Sequence, residues 1–212
     1  MAISKSLIGT CAAGSAAGGG ALAYQLGAFD GKEVPTTVRQ RLKNEGYELI
    51  SESSDGQWKT SFNAFKTDAS FMSEINKHSE KDTTLTNADD GEKGKVALEK
   101  LCASYLAGNK DFENASKWCV LRIQDKAPSS GWLPLTDGNS DAATNKTKWE
   151  GAFEKHKTAL SDNKIKGVTS TTQKEQGHSL LKQWCSENLA LSFNKARASI
   201  FTNASNWCSA ST

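Results

Sequence analysis

Eight residues written twice constrain this chain more than any other feature. Phe112-Glu-Asn-Ala-Ser-Lys-Trp-Cys119 recurs as Phe201-Thr-Asn-Ala-Ser-Asn-Trp-Cys208, with six of eight positions identical at an offset of 89. A block that recurs implies a structural unit that recurs. Three more matches run in the same order. Gly131-Trp132 answers Gly46-Tyr47. Trp149, Phe153 and Lys157 answer Trp58, Phe62 and Lys66. Glu175, Gly177, Leu181, Cys185, Leu189 and Ala190 answer Glu92, Gly94, Leu98, Cys102, Leu106 and Ala107 without a gap. The offsets drift through 85, 91, 83 and 89, which places insertions in the connections and keeps the helices intact.

The units read as helical. Thr36 or Thr37 is placed to cap a helix carrying Val38 and Leu42, and Gly46 is placed to end it. Ser53 to Gly56 reads as a loop. A helix from Trp58 puts Phe62, Phe65 and Met72 on one side. Thr83 to Asp90 is polar and turn-like, a surface loop. Helices follow from Glu92 to Leu106 and around Phe112 to Cys119. A unit of roughly 80 residues buries a marginal core and needs a staple or a partner.

Cysteine supplies the candidate staple. Cys11 stands near the N-terminus, and Cys102, Cys119, Cys185 and Cys208 fall as one pair in each unit. Four cysteines allow three pairings. The repeat selects Cys102 with Cys119 and Cys185 with Cys208, since each unit must satisfy itself. Gly108-Asn109-Lys110 is a connection short enough to bring the first pair together. Four buried free thiols are the competing reading, because cysteine also behaves as a small hydrophobe. Trp58, Phe62, Trp118, Trp149, Phe153 and Trp207 recur at matched positions and read as core anchors rather than a binding platform.

The N-terminus has a different character. Ser6 to Phe29 carries no charge, with Lys5 before it and Asp30 after it. As a helix it would be about 36 Å long, enough for a hydrocarbon core of about 30 Å. Yet Gly and Ala make up 13 of its 24 residues, so insertion is marginal. Three readings follow: an uncleaved anchor with Lys5 inside, a signal peptide cleaved near Ala23 after Ala21-Leu22-Ala23, or a lipoprotein leader using Cys11. Ten residues before Cys11 are too few for the third.

Charge and motifs exclude several functions. The formal net charge is +2 with acids and bases interspersed, so no basic stripe for nucleic acid exists. GxSxG, HExxH, GxGxxG and a phosphate loop are absent, so no catalytic set emerges. No CxxC or HxxxH occurs, and His78, His156 and His178 lie far apart, so neither metal nor cofactor is expected. Asn114-Ala-Ser116, Asn145-Lys-Thr147 and Asn203-Ala-Ser205 match the N-glycosylation acceptor, which matters only in a host with that machinery.

Several of these blocks together resemble a known group. The Gly/Ala leader, the helix Thr37-Val-Arg-Gln-Arg-Leu-Lys-Asn-Glu-Gly46, Trp58 with Phe62, and the end Lys117-Trp118-Cys119-Val120 look like the paralogous families of uncharacterised proteins in haemotropic mycoplasmas. The chain departs from that pattern at Val120 to Pro128. The resemblance implies a membrane-associated or exported protein of a wall-less blood parasite, with a surface-antigen or host-contact role. It implies no catalytic residues.

The sequence therefore predicts an all-α protein. Residues 1–31 form a signal or anchor helix, with 6–29 in the membrane, and residues 32–125 and 126–212 form two related helical units outside. The expected role is a surface protein that contacts a host or surface partner. The alternative is an exported enzyme or thiol-active protein using a cysteine with a histidine, which requires an exposed, low-pKa thiol.

Overall fold

A polar side chain opens the first helix of the described residues. In a computed structural model that describes residues 36–136, 142–162 and 165–210, helix α1 spans Val38–Asn44. The Thr37 hydroxyl accepts from the Gln40 amide at 3.3 Å, and the Gln40 side chain accepts from the Thr37 amide at 3.0 Å. This reciprocal cap satisfies two donors that would otherwise be orphaned. Val38 and Leu42, one turn apart, are fully buried.

Helix α2 (Asp55–Phe65) buries Trp58 and Phe62, and helix α3 (Ala69–Ile75) buries Phe71 and Ile75. The sequence suggested one helix from Trp58 through Met72 after a loop at 53–56. Instead α2 starts at Asp55, and the chain breaks at Lys66–Asp68. Asp68 is the cause. Its Oδ1 accepts from the amides of Ser70 at 2.8 Å and Phe71 at 3.2 Å, starting a new helix in a new direction. A 3-10 turn (Asn76–His78) leads into the 79–91 connection. That connection is polar as expected, but Leu85 dives out of it and is only 3% exposed. Helices α4 (Glu92–Ala107) and α5 (Phe112–Trp118) complete the first half.

The second half opens with a 3-10 turn (Ile123–Lys126) where the first has α1. Helix α6 (Ala142–Asp162) runs unbroken through Trp149, Phe153 and Leu160. Helix α7 (Lys174–Leu189) packs along it, and α8 (Ala198–Trp207) closes the chain after a 3-10 turn (Lys195–Arg197). Among the described residues the only extended pairing is three isolated antiparallel bridges. The architecture is all-α.

Matched positions make matched contacts. The Phe62 ring lies against Gly94 and the Phe153 ring against Gly177, and at either glycine a Cβ would collide with the ring. Gly46 and Gly131 both turn the chain with positive φ, +77° and +75°. Val38 N donates to Gly108 O at 2.8 Å, and Ile123 N to Leu191 O at 2.9 Å. Ile50 N reaches Cys119 O at 3.2 Å, and Leu133 N reaches Cys208 O at 2.7 Å, so at the Trp-Cys ends residues 48–50 answer 131–133, two residues off the Gly46–Gly131 match.

Two apolar clusters form, one ending at Val120 with Leu121 packed on it, the other beginning at Ile123. The two clusters meet between Leu121 and Ile123. From Thr36 on, the chain is nevertheless one compact unit. Leu121 and Ile123 bond across to Phe193 and Leu191 around the Arg122–Ser192 bridge. The Ser192 hydroxyl donates to Ser116 O at 2.7 Å. Among the described residues no helix is long and apolar enough to cross a membrane. The proposed anchor at 6–29, Cys11 and the cleavage point at Ala23 lie outside the described residues.

Candidate functional site

Helix pairs position the cysteines. Cys102 sits on the inner face of α4, and Cys119 follows the last turn of α5. Gly108 to Asp111 joins these helices closely enough for the sulfurs to bond, with Cα atoms 5.5 Å apart. Cys185 on α7 and Cys208 after α8 are bridged in the same way, at a Cα separation of 5.9 Å. All four are at most 1% exposed. A thiol-active mechanism needs a free, accessible thiolate, and none of these four is free.

The six aromatic positions are interior. Phe62 and Phe153 are fully buried, and Trp58, Trp118, Trp149 and Trp207 are at most 4% exposed. Trp118 has the Phe71 ring at 5.1 Å and stacks on Tyr105 at 6.3 Å. Trp207 has the Trp184 ring at 5.0 Å. None of these indoles offers an open face for a ligand. The one conspicuous polar difference is at Trp58. Trp149 Nε1 donates to Pro134 O at 3.0 Å, whereas Trp58 Nε1 is buried with no acceptor. A cleft of about 100 Å³, bounded by Arg39, Ile50, Trp58, Glu99 and Leu106, adjoins it.

A larger cleft, about 190 Å³, lies between the face of α4 and the 78–85 segment. Lys93, Val96, Ala97 and Lys100 line one wall; these positions are three and four apart and share one helix face. His78, Thr83 and Leu85 line the other wall, with Glu80 and Glu92 at the rim. Val96 is the large hydrophobic residue exposed among the described residues, at 36%. Glu92 is already engaged. It accepts from Lys59 at 2.5 Å and Lys95 at 3.0 Å, and those bonds hold its carboxyl down at about 2.

Burial shifts Tyr105 and His156 from their ordinary titration. Burial, with the Glu74 carboxylate second, pushes the Tyr105 hydroxyl up to about 12. Burial, with Lys155 second, lowers His156. The Tyr105 hydroxyl donates to the Glu74 carboxylate at 3.3 Å. No group of His, Cys, Asp or Glu able to hold a metal occurs among the described residues.

The sequence reading passed over Arg122. Its guanidinium is buried at the joint between the halves, with Nε and Nη2 both 3.4 Å from the Asp125 carboxylate. The Gln124 amide oxygen, turned toward it, accepts at 2.8 Å. The Phe65 ring lies 5.9 Å away. Beside it, Lys126 bonds both Glu48 carboxylate oxygens at 2.7 Å and lies 4.4 Å over the Phe193 ring. The Arg-x-x-Asp spacing was the available signal, a cap mimic just before a short helix. Its role here is to hold the joint.

With this geometry in hand, known proteins add nothing: no family model, no curated protein and no solved structure matches the chain.

Proposed function

We propose that this is an exported or membrane-anchored surface protein that acts by contact rather than catalysis. Residues 6–29 hold it to the membrane, and residues 32–212 form the exposed module. Its two helical units descend from a duplication. The observation that carries the reading is the pair of buried disulfides, one closing each half. Disulfides form and persist in oxidising surroundings outside the cytosol, and a chain bearing an uncharged leader reaches such surroundings. The matched contacts of Phe62 with Gly94 and Phe153 with Gly177 support the duplication. The resemblance to the paralogous families of haemotropic mycoplasmas supports an antigen or host-contact role.

Fractionation tests this directly. Full-length protein should pellet with membranes, and a chain starting at residue 32 should stay in the supernatant. Protease added to intact cells should digest the module. A full-length chain that stays soluble, or resists protease until cells are lysed, overturns the surface reading.

A further inference from the structure

We propose that the cleft between α4 and the 78–85 segment binds a short aliphatic carboxylate. Three observations converge there. The floor is apolar: Leu85 and Ala97 are almost fully buried beneath it, and Val96 stands exposed at its edge. Leaving a large aliphatic side chain in water is ordinary for one residue. Here, however, it lies between two cations on one helix face. Lys93 and Lys100 are exposed, and among the described residues neither has an ion-pair partner within 4.0 Å. Of the acids around them, Glu92 is held by Lys59 and Lys95, and Asp89 bonds Thr86 and feels Lys93 across the loop. Glu80 is the remaining rim carboxylate, and it lies on the loop side.

An occupant that matches has one anionic end and a small apolar body. An ammonium end would face two lysines. The volume of about 190 Å³ has room for roughly six water-sized groups, which is a carboxylate on a chain of about four to six carbons. The carboxylate would bridge Lys93 and Lys100, and the chain would cover Val96 and Leu85.

The second half supplies an internal control. The matched positions on α7 are Gln176, Ser179, Leu180 and Gln183, with no cation among them. There the connection before α7 packs Gly167 against Leu180, so the matched face is covered by the chain itself.

The test is an amide-shift titration of full-length, nitrogen-labelled protein with sodium pentanoate. Pentan-1-ol and pentylammonium serve as isosteric competitors. The amides of His78, Leu85, Val96, Ala97 and Lys100 should shift and saturate, and those of Gln176 to Gln183 should not. The alcohol and the ammonium should bind more weakly. Lys93→Glu with Lys100→Glu removes two exposed pairings and should weaken pentanoate about tenfold. Since both lysines are exposed, the helical circular dichroism should not change. Val96→Ser, which keeps the charges, should weaken pentanoate but leave acetate as it was. The proposal is overturned by unsaturable shifts, by equal binding of pentylammonium, or by a folded double variant that binds pentanoate as tightly as the native chain.

Discussion

The two halves cover the same Trp-Cys corner by different means. In the first, the chain breaks at Asp68 so that a separate short helix, α3, brings Phe71 against Trp118. In the second, α6 runs straight past the matched point, and Trp207 is flanked instead by Trp184 of α7. Trp184 immediately precedes Cys185, where the first half has Leu101 before Cys102. Leu101 is fully buried, whereas Trp184 is half-buried. A larger side chain thus does in one half what an extra helix does in the other. What stays the same is the disulfide, the ring on glycine, and the backbone bond into the Trp-Cys turn. The kept features are therefore the disulfides that close the α4–α5 and α7–α8 pairs and the rings that seat α2 on α4 and α6 on α7, and the variable ones are those that roof the pairs.

If closure is the shared element, removing either bridge should be the largest and most similar perturbation. In the chain-entropy account, loops of 17 and 23 residues are each worth about 3 kcal/mol, with little difference between them. Cys102→Ala with Cys119→Ala, and Cys185→Ala with Cys208→Ala, should each lower the stability to urea by about that much. A loss confined to one pair would break the comparison, because the other half would then stand without its staple.

The indoles sharpen the comparison at a finer scale. Trp149 Nε1 bonds Pro134 O, while Trp58 Nε1 bonds nothing. Burying a donor without an acceptor costs about 1–3 kcal/mol. Trp→Phe removes similar ring area from both sites but a hydrogen bond from only one. Trp149→Phe should therefore destabilise by about 1 kcal/mol more than Trp58→Phe. Urea midpoints at an unchanged slope check this. Equal losses would mean that Trp58 finds an acceptor in solution.

What the sequence made legible follows from chemistry that leaves few alternatives. Trp, Cys and a glycine under a ring cannot be exchanged without consequence, so Trp58, Phe62, Cys102 and Trp118 and their matches stand out from degenerate surroundings. The disulfide pairing was readable from one cysteine pair per unit. The α2–α3 break was not, although Asp68-Ala-Ser70 is a plausible cap, because the apolar spacing of Phe62, Phe65 and Met72 continues across it. Leu85 hid in a polar stretch, since a single apolar residue has no periodicity. The α4 cleft was illegible for the same reason: Lys93 and Lys100 read as surface charge until the 78–85 segment is placed opposite them. At Arg122 the Arg-x-x-Asp spacing marks a cap before a short helix, but not that the guanidinium is buried.

The smallest expected difference is electrostatic. In the first half, Glu92 gathers Lys59 of α2 and Lys95, and Lys95 also reaches Asp55 at 2.9 Å. The matched positions in the second half are Glu150, Glu175, His178 and Lys146, and there Lys146 lies 3.6 Å from Glu150 within α6. At these matched positions the first half therefore links α2 to α4 through a carboxylate, and the second pairs its charges within α6. The folded carboxyl of Glu92 sits near 2, below its ordinary 4.5. The unfolded chain thus takes up the proton first as pH falls. The contribution is complete above about 4.5 and disappears as pH drops through about 2. Glu92→Gln should accordingly lower the urea midpoint slightly at pH 7, and the gap to the native protein should close on acidification over that window. Because the network is exposed, about 1 M salt should shrink the gap at pH 7 as well. A gap that survives at low pH and high salt would show that Glu92 acts by packing, and the electrostatic contrast between the halves would fall.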